Sequence, residues 1–309
     1  MSGDREIVRT ATEAARQERP PLLVLDALAA RLAAAGLGDA SDGGSGIRVA
    51  RIGEGHSNVT FLLEWGGRRL VLRRGPRPPH PPSAHDMLRE ARVQTLLRAE
   101  GLAVPEILHV CDDESVLGVP FYVMEHLDGE VITDRMPAHL DDDEGRQAMP
   151  YAAVDALAAL HALDVGTGEL ATLGRPDGYL RRQVDRFSSL WPTVSRRTLP
   201  EVDALAVWLG ENLPRSPRAS VVHGDFRIGN LMFARSGPVR VQAILDWEMA
   251  TLGDPLADLG YLVATYADRD AAPTPAGSDD RDARRRVSAP GGPRRALCGL
   301  FTNEGVALV

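Results

Sequence analysis

The 309-residue chain is 44% hydrophobic and 25% charged, with 30 glycines and 22 prolines, a composition that excludes wholesale disorder and suits one large domain or two smaller ones. All 35 basic residues are arginine, which excludes a Walker A loop with its phosphate-binding lysine and a lysine Schiff base for pyridoxal phosphate, so any kinase-type site must replace its lysine. A net charge of −8 argues against nucleic acid as a partner, Cys111 and Cys298 form no CxxC pair, and no apolar run approaches the roughly 18–20 residues of a membrane span; a cytoplasmic protein acting on small molecules is expected.

Residues 6–35 carry helical periodicity in two pieces broken at Pro20-Pro21, the second being LLVLDALAARLAAAGL. After the linker DASDGGSG the period changes to strands. IRVARIG, NVTFLLEW and RRLVLRR, the last two joined by Gly66-Gly67, predict a three-stranded antiparallel meander from Ile47. A proline-loaded loop leads to SAHDMLREARVQTLLRAEG, read as a helix capped by Ser83 with Met87, Ala91, Leu96 and Leu97 on its apolar face. EILHVC and PFYVMEHL complete a unit of five strands and one helix. From Gly129 the pattern is helical, in EGRQAMPYAAVDALAALHAL, YLRRQVDRFSSLW and LPEVDALAVWLGENL. SVVHGDFRIGNLMF and the strand-like VQAILDWEMA follow, then a helix from Pro255 to Tyr266. The Arg/Pro/Gly punctuation of residues 276–309 carries no sustained period and reads as a disordered or truncated tail.

The strongest chemical signal is His223-Gly224-Asp225, with Asn230 five residues past the aspartate and Asp246 closing the apolar strand QAILD. Phosphoryl transfer needs these residue types: a carboxylate to accept or orient the attacking hydroxyl, and an amide oxygen with a second carboxylate to hold Mg²⁺ on the nucleotide phosphates. Taken singly, an Asp or Asn in a loop more often bonds nearby backbone. The ordered set carries the reading. HGDFRIGNLMF followed by AILDWEMATLGDPLADLGYL resembles the signature of the aminoglycoside phosphotransferase and choline kinase family, relatives of protein kinases. GEGHSN, VLRRGP, SAHDMLRE, VLGVPFYVMEHLDG and YLRRQVDRF are further similar to one subgroup, the kinase-like domains also found fused to acyl-CoA dehydrogenases. The resemblance runs from about Ile47 to Tyr266 and stops before the tail.

It implies an α+β, two-lobed protein-kinase-like fold: N-terminal helices and linker (1–46), a small antiparallel-sheet N-lobe that binds nucleotide (47–128) and a mostly helical catalytic C-lobe (129–275). It also implies ATP and Mg²⁺ as cofactors, Asp225 as catalytic base, Asn230 and Asp246 as metal ligands, His223 as organiser of the catalytic loop, and Trp247 in the place of the phenylalanine of the kinase D-F-G motif.

In the N-lobe, Gly53-Glu54-Gly55-His56-Ser57-Asn58 has only two of the glycines of GxGxxG and leads into a strand rather than a helix. It fits a phosphate-covering turn, with Gly53, Gly55, His56 and Ser57 as contacts, or an ordinary Gly-containing hairpin. Side chains alternate along LVLRR, so only one of its two arginines faces the nucleotide. Alignment with V-A-I-K puts Arg73 at the lysine position, with Glu90 as its acidic partner, and leaves Arg74 as a surface arginine of an edge strand. PFYVMEHLDG would join the lobes, offering backbone groups of Glu125, His126 and Leu127 to adenine, with Met124 as pocket lining or plain core. Asp254 and Asp258 are expected to cap a helix or brace the catalytic loop, His161 to be a packing histidine, and residues 141–144 to form a solvated helix start. The expected function is ATP-dependent phosphorylation of a hydroxyl on a small molecule, a hydroxyacyl-CoA-like metabolite ahead of an aminoglycoside. The alternative is a nucleotide-binding pseudokinase or interaction protein with an incomplete acceptor site.

Overall fold

The computed structural model describes residues 5–39, 44, 46–53, 58–79, 85–133, 135–216 and 218–265. The expected tail, residues 276–309, lies outside them. The chain divides into two compact units, Met1–Asp128 and Gly129–Val309.

The first unit begins differently from its sequence pattern. Ile7–Val8 (β1) and Leu23–Val24 (β2) form a short parallel pair, Ile7 opposite Leu23 and Val8 opposite Val24, and only a single turn, Ala11–Ala14 (α1), lies between them. The β-branched residues at both places favour extended backbone, and pairing across the chain outweighs the local helical period. Leu25–Ala34 (α2) is the helix that survives, burying Leu25, Leu28, Ala29 and Leu32, an i, i+3, i+4, i+7 stripe. That stripe packs into one core with Phe61, Leu63, Leu70, Leu72, Phe121 and Val123 of the sheet.

The sheet has five antiparallel strands, Arg48–Ile52 (β3), Val59–Trp65 (β4), Arg68–Arg74 (β5), Ile107–Cys111 (β6) and Phe121–Glu125 (β7), in the order β3-β4-β5-β7-β6. In β4 alternate residues Val59, Phe61, Leu63 and Trp65 are buried, the period of a strand with one face on a core. Gly66 (φ +55°) and Gly67 (φ +76°) both sit in the left-handed region, which a two-residue hairpin turn of this hand requires. Met87–Ala99 (α3) packs beside the sheet. Its cap is Asp86, whose carboxylate accepts the Arg89 N–H at 2.9 Å, in place of the expected Ser83, which lies outside the described residues. One further turn, Glu114–Leu117 (α4), precedes β7.

The second unit opens with a strand rather than a helix. Gly129–Val131 (β8) pairs antiparallel with Leu231–Ala234 (β10), which also pairs with Val241–Ile244 (β11). This hydrogen bonding across the unit decides a segment whose own sequence is weakly patterned. The helices are Asp143–His161 (α5), Tyr179–Val194 (α6), Pro200–Glu211 (α7) and Leu256–Thr265 (α8). Asp142 caps α5 through the Gly145 N–H at 2.7 Å, with Asp143 and Glu144 in the first turn, where the helix dipole favours them. Ser220–Val222 (β9) pairs with Thr251–Gly253 (β12), Val222 opposite Thr251. The turns leaving β9 and β11 carry the chemistry.

Candidate active site

β9 delivers His223-Gly224-Asp225, a single 3₁₀ turn at Ile228–Asn230 follows, and β10 begins at once. β11 delivers Leu245 and Asp246 into a second 3₁₀ turn, Trp247–Met249. The two turns are stitched together by backbone and ring. Leu245 N–H donates to the Asn230 carbonyl at 2.9 Å, and His223 Nε2 donates to the Leu245 carbonyl at 2.9 Å. His223 Nδ1 accepts the Asp225 N–H at 3.2 Å, so its partners assign the ring hydrogen to Nε2. The ring is fully buried, tilted on Trp247 with centroids 4.6 Å apart and edge-on to Phe226 at 5.9 Å. An aromatic cage of this kind holds the histidine in one rotamer and through it both turns.

Asn230 Nδ2 donates twice to Asp225, to its carbonyl at 2.8 Å and to Oδ2 at 2.7 Å. With the amide nitrogen committed in this way, Oδ1 is the atom the side chain has to offer as a ligand. Arg227 Nε lies 3.3 Å from the same Asp225 Oδ2, and the Asp225 side chain is 24% exposed. Asp246 adopts φ +67° and ψ +68°, a left-handed conformation that costs a non-glycine residue about 1 kcal/mol or more. Gly224 has φ +86°, and a Cβ there would come within 2.9 Å of Met249 Cβ, so only glycine lets the two turns approach this closely.

α8 braces the catalytic turn. Asp258, 1% exposed, accepts His223 N–H at 2.7 Å and Gly224 N–H at 2.8 Å, and its Oδ2 lies 3.1 Å from His161 Nε2. His161 is therefore a buried partner of the brace. Asp254 caps α8 by accepting the Leu256 N–H at 2.8 Å and also takes Ser216 Oγ at 2.6 Å. Burial, with Asp258 and Asp254 nearby, pushes the Tyr179 hydroxyl up to about 12.

In the first unit, Arg73 Nε and Glu90 Oε1 meet at 3.0 Å, their side chains 13% and 1% exposed. The pair sits within a polar network that is not legible from the motifs. Asn58 Nδ2 lies 3.5 Å from Glu90 Oε2, His85 Nδ1 donates to Asn58 Oδ1 at 2.9 Å, and Tyr122 accepts from Gln94 Nε2 at 2.9 Å while bonding Glu90. Burial first, and then the Glu90 charge, hold the Tyr122 hydroxyl well above its usual range, so it stays a donor. Gln94 could have been found as the residue one turn beyond Glu90 on α3, and Asn58 by its place between the glycine turn and β4.

Arg74 is a correction. β5 is a central strand, and Arg74 is 1% exposed rather than at a surface edge. Its guanidinium donates to the carbonyls of Leu22, Leu117 (3.2 Å) and Gly75 (3.0 Å), tying three loops together, and burial lowers its pKa to about 10. Met124 is partly buried against Met87, Ala91 and Tyr122. The Glu125 N–H donates to the Glu106 carbonyl at 2.9 Å, and its carboxylate takes Glu106 N–H at 2.8 Å and Arg98 at 3.1 Å. That amide is thus committed within the sheet and not offered to a base. His126 and Leu127 follow at intermediate exposure, and Gly53 ends the described part of the glycine turn. Gly55, His56 and Ser57 lie outside the described residues.

Among the described residues no helix is long and apolar enough to cross a membrane, and no group of three or more His, Cys, Asp or Glu side chains is arranged to hold a metal ion. Comparison with known proteins gives a consistent result. The sequence profile described as "Phosphotransferase enzyme family" (APH) matches residues 48–296, extending past the point near Tyr266 where the motif resemblance ends. The chain is similar to acyl-CoA dehydrogenase family member 11 of Gallus gallus, 41% identical over 221 residues that cover 71% of this chain and 28% of the relative. It therefore spans little more than a quarter of that protein's length. Among solved structures it is similar to a protein of Ralstonia eutropha assigned as an aminoglycoside phosphotransferase (31% identity, TM-score 0.65, 90% of this chain and 80% of that one). It shares its fold with the aminoglycoside phosphotransferase APH(4)-Ia in ternary complex with ADP and hygromycin B (21% identity, TM-score 0.52, 71% and 72% covered). The α+β, two-lobed protein-kinase-like fold expected from the motifs is the fold of this chain.

Proposed function

Because this chain belongs to the phosphotransferase enzyme family, we propose that it transfers the γ-phosphate of ATP to a hydroxyl group of a small molecule. The observation that carries this reading is the Asp225 carboxylate, oriented by Asn230 at 2.7 Å yet 24% exposed, at the end of a turn whose backbone is fixed by Asp258 and His223. A base must be both held and reachable, and Asp225 combines the two. In this reading Asp225 orients the acceptor hydroxyl and takes up its proton as the new O–P bond forms and the bond to ADP breaks. Arg73, kept in place by Glu90, lies against the nucleotide phosphates. A guanidinium keeps its charge and can donate two parallel hydrogen bonds, which lets arginine stand where kinases use lysine.

The donor set suits Mg²⁺. Asn230 Oδ1 and the Asp246 carboxylate are hard oxygens on turns joined by the Leu245–Asn230 and His223–Leu245 hydrogen bonds. Mg²⁺ characteristically takes one or two protein oxygens and completes its shell with phosphate and water, so the lack of a larger carboxylate cluster is no obstacle. Bound there, the ion would neutralise charge on the nucleotide phosphates. The left-handed backbone of Asp246 is the strain that aiming its carboxylate into this turn requires.

For the acceptor we favour a hydroxylated acyl thioester or a related metabolite over an aminoglycoside. The support is the 41% identity to a protein named for acyl-CoA dehydrogenase, against 21% to the hygromycin B complex. ADP release measured over a panel of hydroxylated metabolites, acyl thioesters included, tests the reading. Turnover is expected with ATP and Mg²⁺, and Asp225→Ala is expected to lower it by about 10²–10⁴-fold with little change in thermal stability. A purified Asp225→Ala variant that keeps wild-type turnover would overturn the assignment. Nucleotide binding without turnover on any acceptor would favour the pseudokinase.

A further inference from the structure

α8 carries a second group aimed at the catalytic turn. Asp258 and Tyr261 are three residues apart and share a helix face. Asp258 holds the backbone of His223 and Gly224, and one turn further along, the Tyr261 hydroxyl hydrogen-bonds the Asp225 carboxylate. An ionised carboxylate offers about four lone-pair directions. Asn230 Nδ2 (2.7 Å) and Arg227 Nε (3.3 Å) both take Oδ2, and Tyr261 supplies a third donor from a different element. About one direction remains, which is what an acceptor hydroxyl requires.

We infer that Tyr261 is a positioning residue for the transfer, fixing the rotation of the Asp225 carboxylate so that its remaining lone pair faces the acceptor. The inference rests on the proposed phosphotransferase reading and adds a residue to it. Burial, followed by its bond to Asp225 and that group's charge, raises the pKa of the phenol, so it stays protonated and keeps donating at neutral pH. Arg227, partly exposed on the other flank, is free to rotate in a way that a tyrosine anchored on a helix is not.

Tyr261→Phe keeps the ring and removes only the hydroxyl. Loss of one hydrogen bond to a charged group predicts a fall in kcat of about tenfold or more, with KM for ATP changed less than about twofold, because the nucleotide contacts are elsewhere. A Phe variant with wild-type kcat would overturn the inference, and so would one whose whole loss is in KM for ATP. A second measurement does not depend on finding the acceptor. In protein labelled at tyrosine Cζ, the chain's five tyrosines give five signals, and the one lost in Tyr261→Phe should shift in Asp225→Asn while the others hold still. An unmoved signal overturns the inference whatever the activity. If wild-type protein phosphorylates no hydroxyl acceptor, the functional reading fails, and the Cζ signal alone decides the Tyr261–Asp225 contact.

Discussion

Two carboxylates of this chain are set in opposite ways. Glu90 is 1% exposed, ion-paired with Arg73 and surrounded by Asn58, Tyr122 and Gln94. Asp225 is 24% exposed and held by groups that leave room at its open side. The difference follows from what each must do. A charge that only positions another charge gains from a walled, low-dielectric site, where the pair is strong and its geometry unique, provided every polar atom is satisfied. A base that meets a substrate must pay for orientation without being sealed. Asp225 solves this by moving the sealing one layer back, to Asp258 and His223, which are buried at 1% and 0%.

If that contrast is right, the largest effect on stability belongs to the walled site. Glu90→Ala leaves the Arg73 guanidinium buried without its counter-charge, and breaking a buried pair from one side costs about 3–5 kcal/mol. A fall in Tm on the order of 10 °C is expected by calorimetry. An Asp225→Ala variant measured beside it should move Tm by a few degrees at most. Equal losses in the two variants would remove the distinction between a sealed and an open carboxylate.

The brace behind Asp225 ranks next. Asp258→Asn keeps the size of the side chain but has one acceptor oxygen where two N–H groups need one each, so either His223 or Gly224 loses a charge-assisted bond. About 2 kcal/mol of stability is expected to go, with kcat down by roughly 10–100-fold because the turn carrying Asp225 is no longer fixed. Thermal unfolding and ADP release on one preparation check both numbers. A stability loss with unchanged kcat would make Asp258 a fold residue only.

What the sequence made legible follows from how local each feature is. The strand β4, the Gly66-Gly67 turn, the stripe of α2 and the ordered set His223, Asp225, Asn230, Asp246 are all written in consecutive or regularly spaced residues. The β1–β2 pair and β8 were hidden because their partners lie far along the chain, and a two- or three-residue strand has too little length to show a period. Arg74 was misread as exposed because a charged residue is seldom buried, and the carbonyls that receive it, on Leu22, Leu117 and Gly75, cannot be seen from side-chain identity. Tyr261 was missed for a related reason. Its spacing from Asp258 was visible, but its contact with Asp225 spans 36 positions and depends on where α8 packs.

The smallest expected effect separates two ways in which the wall around Glu90 can hold. Asn58 is 3% exposed, with Oδ1 accepting from His85 at 2.9 Å and Nδ2 3.5 Å from Glu90, the latter at the outer limit of a hydrogen bond. If the wall works as one cooperative network, Asn58→Ala should be nearly silent once Glu90 is already gone. If Asn58 acts through His85, its cost is about 1 kcal/mol and persists unchanged in the Glu90→Ala background. The distances favour the second outcome, because the contact to Glu90 is too long to carry much energy and the contact to His85 is not. A double-mutant cycle by urea unfolding decides it: a coupling energy under about 0.5 kcal/mol fits independent action, and a coupling above about 1 kcal/mol would make Asn58 part of the Arg73–Glu90 pair itself.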